Sequence, residues 1–219
     1  MTDRQKISII FRLLLSLSII ITIFSSCSKN DKTEDYDTTT YPTDTDTGVI
    51  INGIKWATRN VDQSGTFAAR PESAGMYYRW NHKKAWYTGT SLENYTQTGT
   101  TWEKDNDPSP TGWRVPTREE QTKLIEIDKV ASEWTSKNGV KGRKFTDIAT
   151  GNTIFLPAVG IPDDNGKLIY IGMGLYLSST LSINDFDVCI MPISNDGAYE
   201  GSGYGNVGWY SIRSVAETY

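Results

Sequence analysis

The side chains that most often carry catalysis are scarce in this sequence. It holds two cysteines, Cys27 and Cys189, and one histidine, His82. Cys189 lies in an apolar run, FDVCIM, with no basic neighbour to lower the pKa of its thiol, so we expect it to be a small buried residue. A lone His82 beside Lys83 and Lys84 makes neither a nucleophile triad nor a zinc site. The sequence therefore predicts no catalytic residue, no metal and no cofactor.

The first cysteine, Cys27, follows the pattern of an export signal. A positively charged start at residues 4–12 precedes an apolar run at residues 13–24, and two serines separate that run from Cys27. This anatomy is typical of a signal peptide over residues 1–26, and the run is too short to span a bilayer. The small residues before the cysteine resemble a bacterial lipobox, which implies cleavage before Cys27 and lipid on its sulfur and amino group. Several acyl chains there would anchor the protein to a membrane.

A segment rich in Thr and Asp follows the anchor. Residues 28–47 hold no aliphatic side chain, so they cannot bury enough surface to offset the entropy of ordering. We therefore expect a flexible, lipidated tether over residues 27–48 and a single folded domain over residues 49–219. The acidic residues after Cys27 resemble the signal that sends Bacteroidetes lipoproteins to the cell surface, which implies an exposed position on the outer membrane. Because the net charge is −4 and no basic patch occurs, nucleic acid is not an expected partner.

One helix is predicted from its capping residues and its apolar spacing. Thr117 and Glu120 fit a capping box. Apolar residues then recur at helical spacing, as Leu124, Ile127, Ala131 and Trp134. We therefore expect one main helix at about residues 117–136, with this stripe facing the core and Asn138-Gly139 as its stop.

The rest of the folded part is predicted to form short strands. Asn52-Gly53 between two apolar runs predicts a β-hairpin, because both residues tolerate positive φ. After residue 140, β-rich runs alternate with Gly, Asn or Asp turns. One helix combined with many short strands predicts an α+β class.

Five segments that follow one another along the folded part carry a family resemblance. They read INGIKWATRNV, AGMYYRW, DPSPTGWRVPTREEQTKLI, GLYLSST and GWYSIRSVAE, and they extend over residues 49–219. They resemble the Fibrobacter succinogenes major paralogous domain. The resemblance implies a C-type lectin-like fold with mostly antiparallel strands, and a role in recognition or adhesion on the cell surface of Bacteroidetes. Members of the family often have Cys at the positions of Ser109 and Ser214, which implies that these two positions can be bridged.

The resemblance also directs attention to two loops rich in Tyr, Trp and Gly. Long loops form the ligand face of C-type lectin-like folds, and here such loops occupy residues 77–102 and 197–210. Tyr and Trp are enriched at binding surfaces. The candidate ligand-binding residues are Trp86, Tyr87, Tyr199, Tyr204 and Trp209. We expect Trp80 and Trp102 to fill the core instead.

Calcium-dependent sugar binding is not expected from the sequence. The Glu-Pro-Asn, Gln-Pro-Asp and Trp-Asn-Asp motifs of calcium-dependent C-type lectins do not occur in the comparable region. The run Asp163-Asp164-Asn165 gathers oxygen ligands that suit calcium. Runs of Asp, Asn and Gly are more often hairpin turns, so we expect a turn there.

Together these features predict a lipid-anchored envelope protein whose domain binds a glycan or protein ligand. Pilus subunits are further expected partners, because some members of the family lie at the tips of fimbria-like pili. Two alternatives remain open. An enzyme of the formylglycine-generating type would need a pair of reactive cysteines, whereas Cys189 alone remains once Cys27 is lipidated. A structural envelope or pilus-assembly module would show a paired edge strand or a partner groove.

Overall fold

The computed structural model describes residues 45–86, 99–163, 165–182, 187–204 and 208–217, and for Tyr204 it describes the backbone alone. These residues form α1 (Arg118–Leu124), a short 3-10 turn (Lys104–Asn106) and a set of short strands. The strands are β1 (Val49–Ile51), β2 (Ile54–Trp56), β3 (Tyr77–Tyr78), β4 (Trp113–Arg114), β5 (Val130–Lys137), β6 (Val140–Asp147), β7 (Thr153–Pro157), β8 (Ile161–Pro162), β9 (Leu168–Ile169), β10 (Gly174–Leu181), β11 (Asp187–Ile193), β12 (Gly201–Tyr204), β13 (Tyr210–Ser211) and β14 (Val215–Ala216). A mostly β structure with a single helix among the described residues confirms the predicted α+β class.

The first sheet combines strands from both ends of the described chain, in the order β1-β2-β14-β4. Strands β1 and β2 form an antiparallel hairpin, and Asn52 and Gly53 at its turn have φ values of 46° and 75°. These positive values are what a two-residue hairpin turn requires, so the predicted hairpin is confirmed. Val215 of β14 pairs with Trp56 of β2. The last strand is thereby inserted between β2 and β4.

The folded part begins before the expected boundary at residue 49. The Asp46 carboxylate is buried, and it accepts hydrogen bonds from the Gly48 and Thr58 N–H groups at 2.8 and 3.1 Å. It also pairs with the buried Arg59 guanidinium at 3.2 Å. Because a buried carboxylate needs such partners, Asp46 fixes the start of the domain on β2 and the loop after it. Residues 45–48 therefore belong to the folded part, and the rest of the expected tether lies outside the described residues.

The helix begins as predicted and ends much earlier. Thr117 accepts a hydrogen bond from the Glu120 N–H, and the Glu120 carboxylate accepts one from the Thr117 N–H at 2.8 Å, which completes the capping box. However, α1 ends at Leu124, so the prediction of a helix to about residue 136 is wrong. Leu124 is buried, whereas Ile127 of the expected stripe is 84% exposed.

The residues that were expected to continue the helix form strand β5 instead. Each of its eight residues faces a residue of β6, from Val130 opposite Asp147 to Lys137 opposite Val140. Asn138 and Gly139 have φ values of 47° and 78° and make the hairpin turn between the two strands. This pair was predicted to stop a helix. Hydrogen bonding to β6 along the whole of β5 therefore outweighs the helical spacing of the apolar residues. A helix depends mainly on packing of its apolar face for stability, and spacing alone does not supply that packing.

Helix α1 packs on a second sheet with the order β12-β11-β10-β13-β3. The Gln121 side chain donates hydrogen bonds to the Tyr176 and Leu177 carbonyls of β10 at 3.1 and 3.0 Å. In this sheet β10 and β13 pair in parallel, while the other strand pairs of the fold are antiparallel, as expected. Strands β5-β6-β7 form a third sheet and β8-β9 a separate hairpin. No helix in the described part of the chain is long and apolar enough to cross a membrane.

Candidate ligand-binding site

Two of the predicted ligand-binding residues, Trp86 and Trp209, meet in a buried aromatic cluster. They pack with Tyr77 and Ile161, and each tryptophan is only 9% exposed. The rings of Tyr77 and Trp86 meet edge to face with centroids 6.5 Å apart, and burial raises the pKa of Tyr77 to about 12. Neither tryptophan therefore offers an open ring face. Both stabilise the core, because partners distant in sequence cover them.

The Trp209 ring is also covered by a cation. The Arg79 guanidinium lies 4.5 Å from its centroid, and Arg79 itself is buried. A cation over an indole face stabilises both groups when they are desolvated. The buried Trp209 Nε1 has no hydrogen-bond partner among the described residues. This cluster consequently supports the fold around β3 and β13 rather than an open ligand surface.

The remaining predicted residues do not join this cluster. Tyr199 is 43% exposed, and its hydroxyl exchanges a hydrogen bond with Ser194 Oγ at 2.9 Å. It lies beside Glu200, whose carboxylate accepts hydrogen bonds from Thr122 and Arg118 of α1. Tyr87 lies outside the described residues, and so does the side chain of Tyr204.

An open groove of about 560 Å³ lies between the segment 102–114 and Glu217. Its lining residues combine two tryptophans with charged and hydroxyl side chains. They are Trp102, Lys104, Asp107, Ser109, Pro110, Thr111, Gly112, Trp113, Arg114 and Glu217. The volume of the groove lies in the range of small-molecule sites, although its lining is more polar than the lining of most such sites.

The two tryptophans of the groove are held in place by other aromatic rings. Trp102 meets Trp80 edge to face at 5.7 Å, and its Nε1 donates to the Asp107 carboxylate at 3.2 Å. Trp113 meets Phe67 edge to face at 5.6 Å. Close packing also fixes Trp113 on Gly48, where a Cβ atom would lie 2.7 Å from the indole. Both rings are half-buried, so their positions are set before any ligand arrives.

Asp107 organises the backbone along the groove. Its carboxylate accepts hydrogen bonds from the Ser109 and Val115 N–H groups, each at 2.9 Å, in addition to the bond from Trp102. The run Asp-Pro-Ser-Pro-Thr-Gly between 107 and 112 has two prolines, which donate no backbone hydrogen bond and keep the segment out of regular structure. This irregular segment forms one wall of the groove, and hydrogen bonds to the Asp107 carboxylate hold its shape.

Ion pairs provide the polar rim of the groove. Lys104 Nζ lies 3.1 Å from the Glu217 carboxylate, and the Lys104 side chain is 84% exposed. Arg114 makes two hydrogen bonds to the Glu120 carboxylate, at 2.6 and 2.8 Å. That hydrogen bonding raises the pKa of the Arg114 guanidinium. A ligand in the groove would therefore meet donors and acceptors that are already oriented beside flat apolar rings.

Ser109 and Ser214 lie side by side at the base of this region. Their hydroxyl oxygens are 2.8 Å apart and share a hydrogen bond, although the residues are 105 positions apart in sequence. Ser214 is fully buried. The two positions at which the resembling family often has cysteines therefore face each other in this structure.

Two further groups with catalytic or metal-binding chemistry, Cys189 and Asp163, lie outside the groove. The Cys189 thiol is buried and donates to the Leu181 carbonyl at 3.5 Å, and its burial raises the pKa of the thiol. The Asp163 carboxylate accepts hydrogen bonds from the Asn165 and Lys167 N–H groups at 2.9 and 2.8 Å, which is the geometry of a turn. No cluster of three or more metal-ligating side chains occurs in the part of the chain that the structure describes.

The groove was only partly visible in the sequence. Sequence reasoning places Trp102 in the core and gives Trp113 no binding role. The signal that could have found them is the run DPSPTGW, in which prolines and glycine hold a tryptophan next to an open loop. No family model, curated protein or solved structure matches this chain.

Proposed function

We propose that this protein is a lipid-anchored envelope protein whose domain recognises a glycan, in adhesion or as an accessory subunit of a fimbria-like pilus. The observation that carries the proposal is the groove between Trp102 and Trp113. Sugar rings present apolar C–H faces and many hydroxyl groups. Flat indole rings with neighbouring oriented donors and acceptors complement both features.

The C-type lectin-like fold is part of the same proposal. Its support is the α+β architecture, the insertion of β14 between β2 and β4, and the contact between Ser109 and Ser214. A domain closed by its last strand and by this pair is what the resemblance to the Fibrobacter succinogenes major paralogous domain implies. The ligand is proposed to bind in the groove at residues 102–114 because Trp86 and Trp209 of the predicted site are buried.

Among the alternatives, recognition fits the chemistry of the described residues better than catalysis. An enzyme of the formylglycine-generating type needs a reactive cysteine pair, and the Cys189 thiol is 3% exposed with a raised pKa. A thiol in such surroundings is a poor nucleophile at neutral pH.

Binding of glycans to the groove can be tested on an array with the full-length chain. Trp102→Leu keeps an apolar side chain against Trp80 but removes the indole face. We expect it to weaken binding by about tenfold, which corresponds to roughly 1.4 kcal/mol and is within the range of an aromatic contact. The matched control is Tyr170→Leu, because Tyr170 is an aromatic residue that is 58% exposed and lies outside the groove. Glycan binding that survives Trp102→Leu unchanged, or no glycan binding at all, would refute the proposal.

Lipid anchoring is tested separately at Cys27. The Cys27→Ser chain should lose acyl labelling and should leave the membrane fraction, because the preceding apolar run is too short to span a bilayer. Labelling that persists in this variant would exclude Cys27 as the anchor.

A further inference from the structure

Strand β5 is a long open edge of the third sheet. It is eight residues long, it pairs with β6 without a bulge, and β6 is its only neighbour in the sheet among the described residues. Edge strands that must stay alone are usually short, bulged, interrupted by proline or protected by charged side chains. Strand β5, whose sequence is VASEWTSK, has only the last of these, in Glu133 and Lys137.

The backbone groups on the open side of β5 can be identified from its turn. In a hairpin closed by two residues, the pair that flanks the turn exchanges hydrogen bonds, so Lys137 bonds to β6 and alternate residues point away. The outward residues are therefore Ser132, Trp134 and Ser136. Their N–H groups donate to no backbone acceptor among the described residues. The edge is ready to accept a further strand.

We propose that the occupant of this edge is a second copy of the chain, paired through β5 in an antiparallel, two-fold symmetric arrangement centred on Thr135. A two-fold axis perpendicular to the sheet keeps each face of β5 on the same side in both copies. Each residue then lies opposite the residue of the second copy that is the same number of positions from the centre, on the other side of it. With Thr135 at the centre, Glu133 lies opposite Lys137 of the other copy, and this contact occurs twice.

Charge favours this register over one centred on Glu133. Centring on Glu133 would place two like charges directly opposite each other, which is destabilising. Centring on Thr135 gives two Glu-Lys pairs around a Thr-Thr pair, and cross-strand pairs of both kinds are favourable. On the other face each Trp134 lies opposite the small Ser136 of the second copy.

The charges of the described residues around the edge agree with this arrangement. Within one copy, Glu133 pairs with Lys144 of β6, and its side chain remains 58% exposed. Lys137 makes no ion pair among the described residues. In the pair of copies, Glu133 would lie between Lys144 and the second copy's Lys137. Both basic side chains would then have an acidic partner.

Pairing two short edges buries less surface than the roughly 1,200 Å² of a standard interface, so we expect weak association. Cross-linking detects weakly associated copies. It also reports the register, because only the residue at the two-fold centre lies opposite its own copy. In a non-hydrogen-bonded antiparallel pair, facing Cα atoms lie about 4.5 Å apart, which suits a disulfide. Thr135→Cys should therefore cross-link two copies under mild oxidation. The experiment uses the full-length chain with Cys27→Ser, in which the other thiol, Cys189, is buried.

The control for this experiment is Ala131→Cys, which places an exposed thiol on the same face of β5 but away from the centre. We expect Thr135→Cys to give about tenfold more dimer than the control, since only the central position faces itself. Adding Lys137→Glu should reduce the Thr135→Cys dimer by about tenfold, because two attractive pairs become repulsive. Lys141→Glu reverses an exposed charge on β6 and should leave the yield unchanged.

Equal cross-linking at residues 131 and 135, or a yield insensitive to Lys137→Glu, would overturn the proposed pairing. Amide hydrogen exchange keeps the test independent of the cysteines. Dilution of the unmodified chain should speed exchange at Trp134 and Ser136, which face strand residues of the second copy. Protection that does not change with concentration would show that another segment covers the edge, and it would overturn the proposal. These outcomes do not depend on the ligand groove.

Discussion

Introducing cysteines at Ser109 and Ser214 should convert a hydrogen-bonded pair into a stabilising disulfide. The two hydroxyl oxygens are already 2.8 Å apart, so the side chains point at each other without movement of the backbone. A disulfide between facing side chains forms with little strain, whereas a pair that points apart cannot be bridged. The perturbation is therefore the double change Ser109→Cys and Ser214→Cys.

The size of the effect follows from the length of the closed loop. The residues are 105 positions apart, and a loop of about 100 residues corresponds to roughly 4.7 kcal/mol of lost unfolded-state entropy. Replacing the hydroxyl pair removes one hydrogen bond, which costs about 1 kcal/mol. We expect a net gain of roughly 3–4 kcal/mol. For a domain of this size each kcal/mol shifts the melting temperature by about 2–4 °C, so the gain is on the order of 10 °C.

The assay compares thermal unfolding of the oxidised and reduced double variant, followed by circular dichroism. A background with Cys27→Ser leaves buried Cys189 as the only other thiol, and titration of free thiols reports whether the bridge forms. The single variants control for the loss of the hydrogen bond and should be slightly less stable than the parent chain. Free thiols that persist under oxidation, or an oxidised form no more stable than the reduced one, would refute the reasoning.

Three further predictions concern stability. Asp46→Ala should lower the free energy of unfolding by about 3 kcal/mol in denaturant titrations, because it removes a carboxylate that pairs with the buried Arg59 guanidinium. The exposed Asp105→Ala is the control, and an equal effect of both would contradict the role of Asp46. Burial raises the pKa of Glu120, but hydrogen bonds from Arg114 and the Thr117 N–H outweigh it and lower the pKa. This contribution to stability is present above about pH 4.3 and is lost as pH falls through the folded-state pKa, so Glu120→Gln should flatten the acid side of the stability curve; an unchanged acid slope would exclude it. A chelator should leave the melting temperature unchanged, whereas a fall of several degrees would reveal a structural metal ion.

Local signals in the sequence predicted local structure well. The capping box of Thr117 and Glu120 fixed the start of α1, and Asn52-Gly53 predicted the first hairpin. Both depend on backbone preferences of a few neighbouring residues, which act in the same way in any fold. The second Asn-Gly pair, at Asn138, was misread because a hairpin turn and a helix stop require similar positive φ values.

What the sequence could not decide depends on contacts between distant residues. The stripe from Leu124 to Trp134 has helical spacing, yet β6 supplies hydrogen-bonding partners that a continued helix would forgo. The burial of Trp86 and Trp209 likewise follows from packing with Tyr77, which no local pattern reveals. Aromatic residues in glycine-rich loops look the same in a sequence whether tertiary partners cover them or not.

The position of β14 between β2 and β4 has a consequence for how the chain folds. Val215 pairs with Trp56, so the first sheet requires segments that are separated by roughly 160 residues, and such distant pairing slows folding. The edge of β2 in the β1-β2 hairpin therefore stays unpaired until almost the whole domain is present. If the chain is exported as an unfolded polypeptide, slow completion of the first sheet helps it to remain unfolded while it crosses the membrane. The same delay leaves an apolar strand edge exposed, and such edges make partly folded chains prone to aggregation.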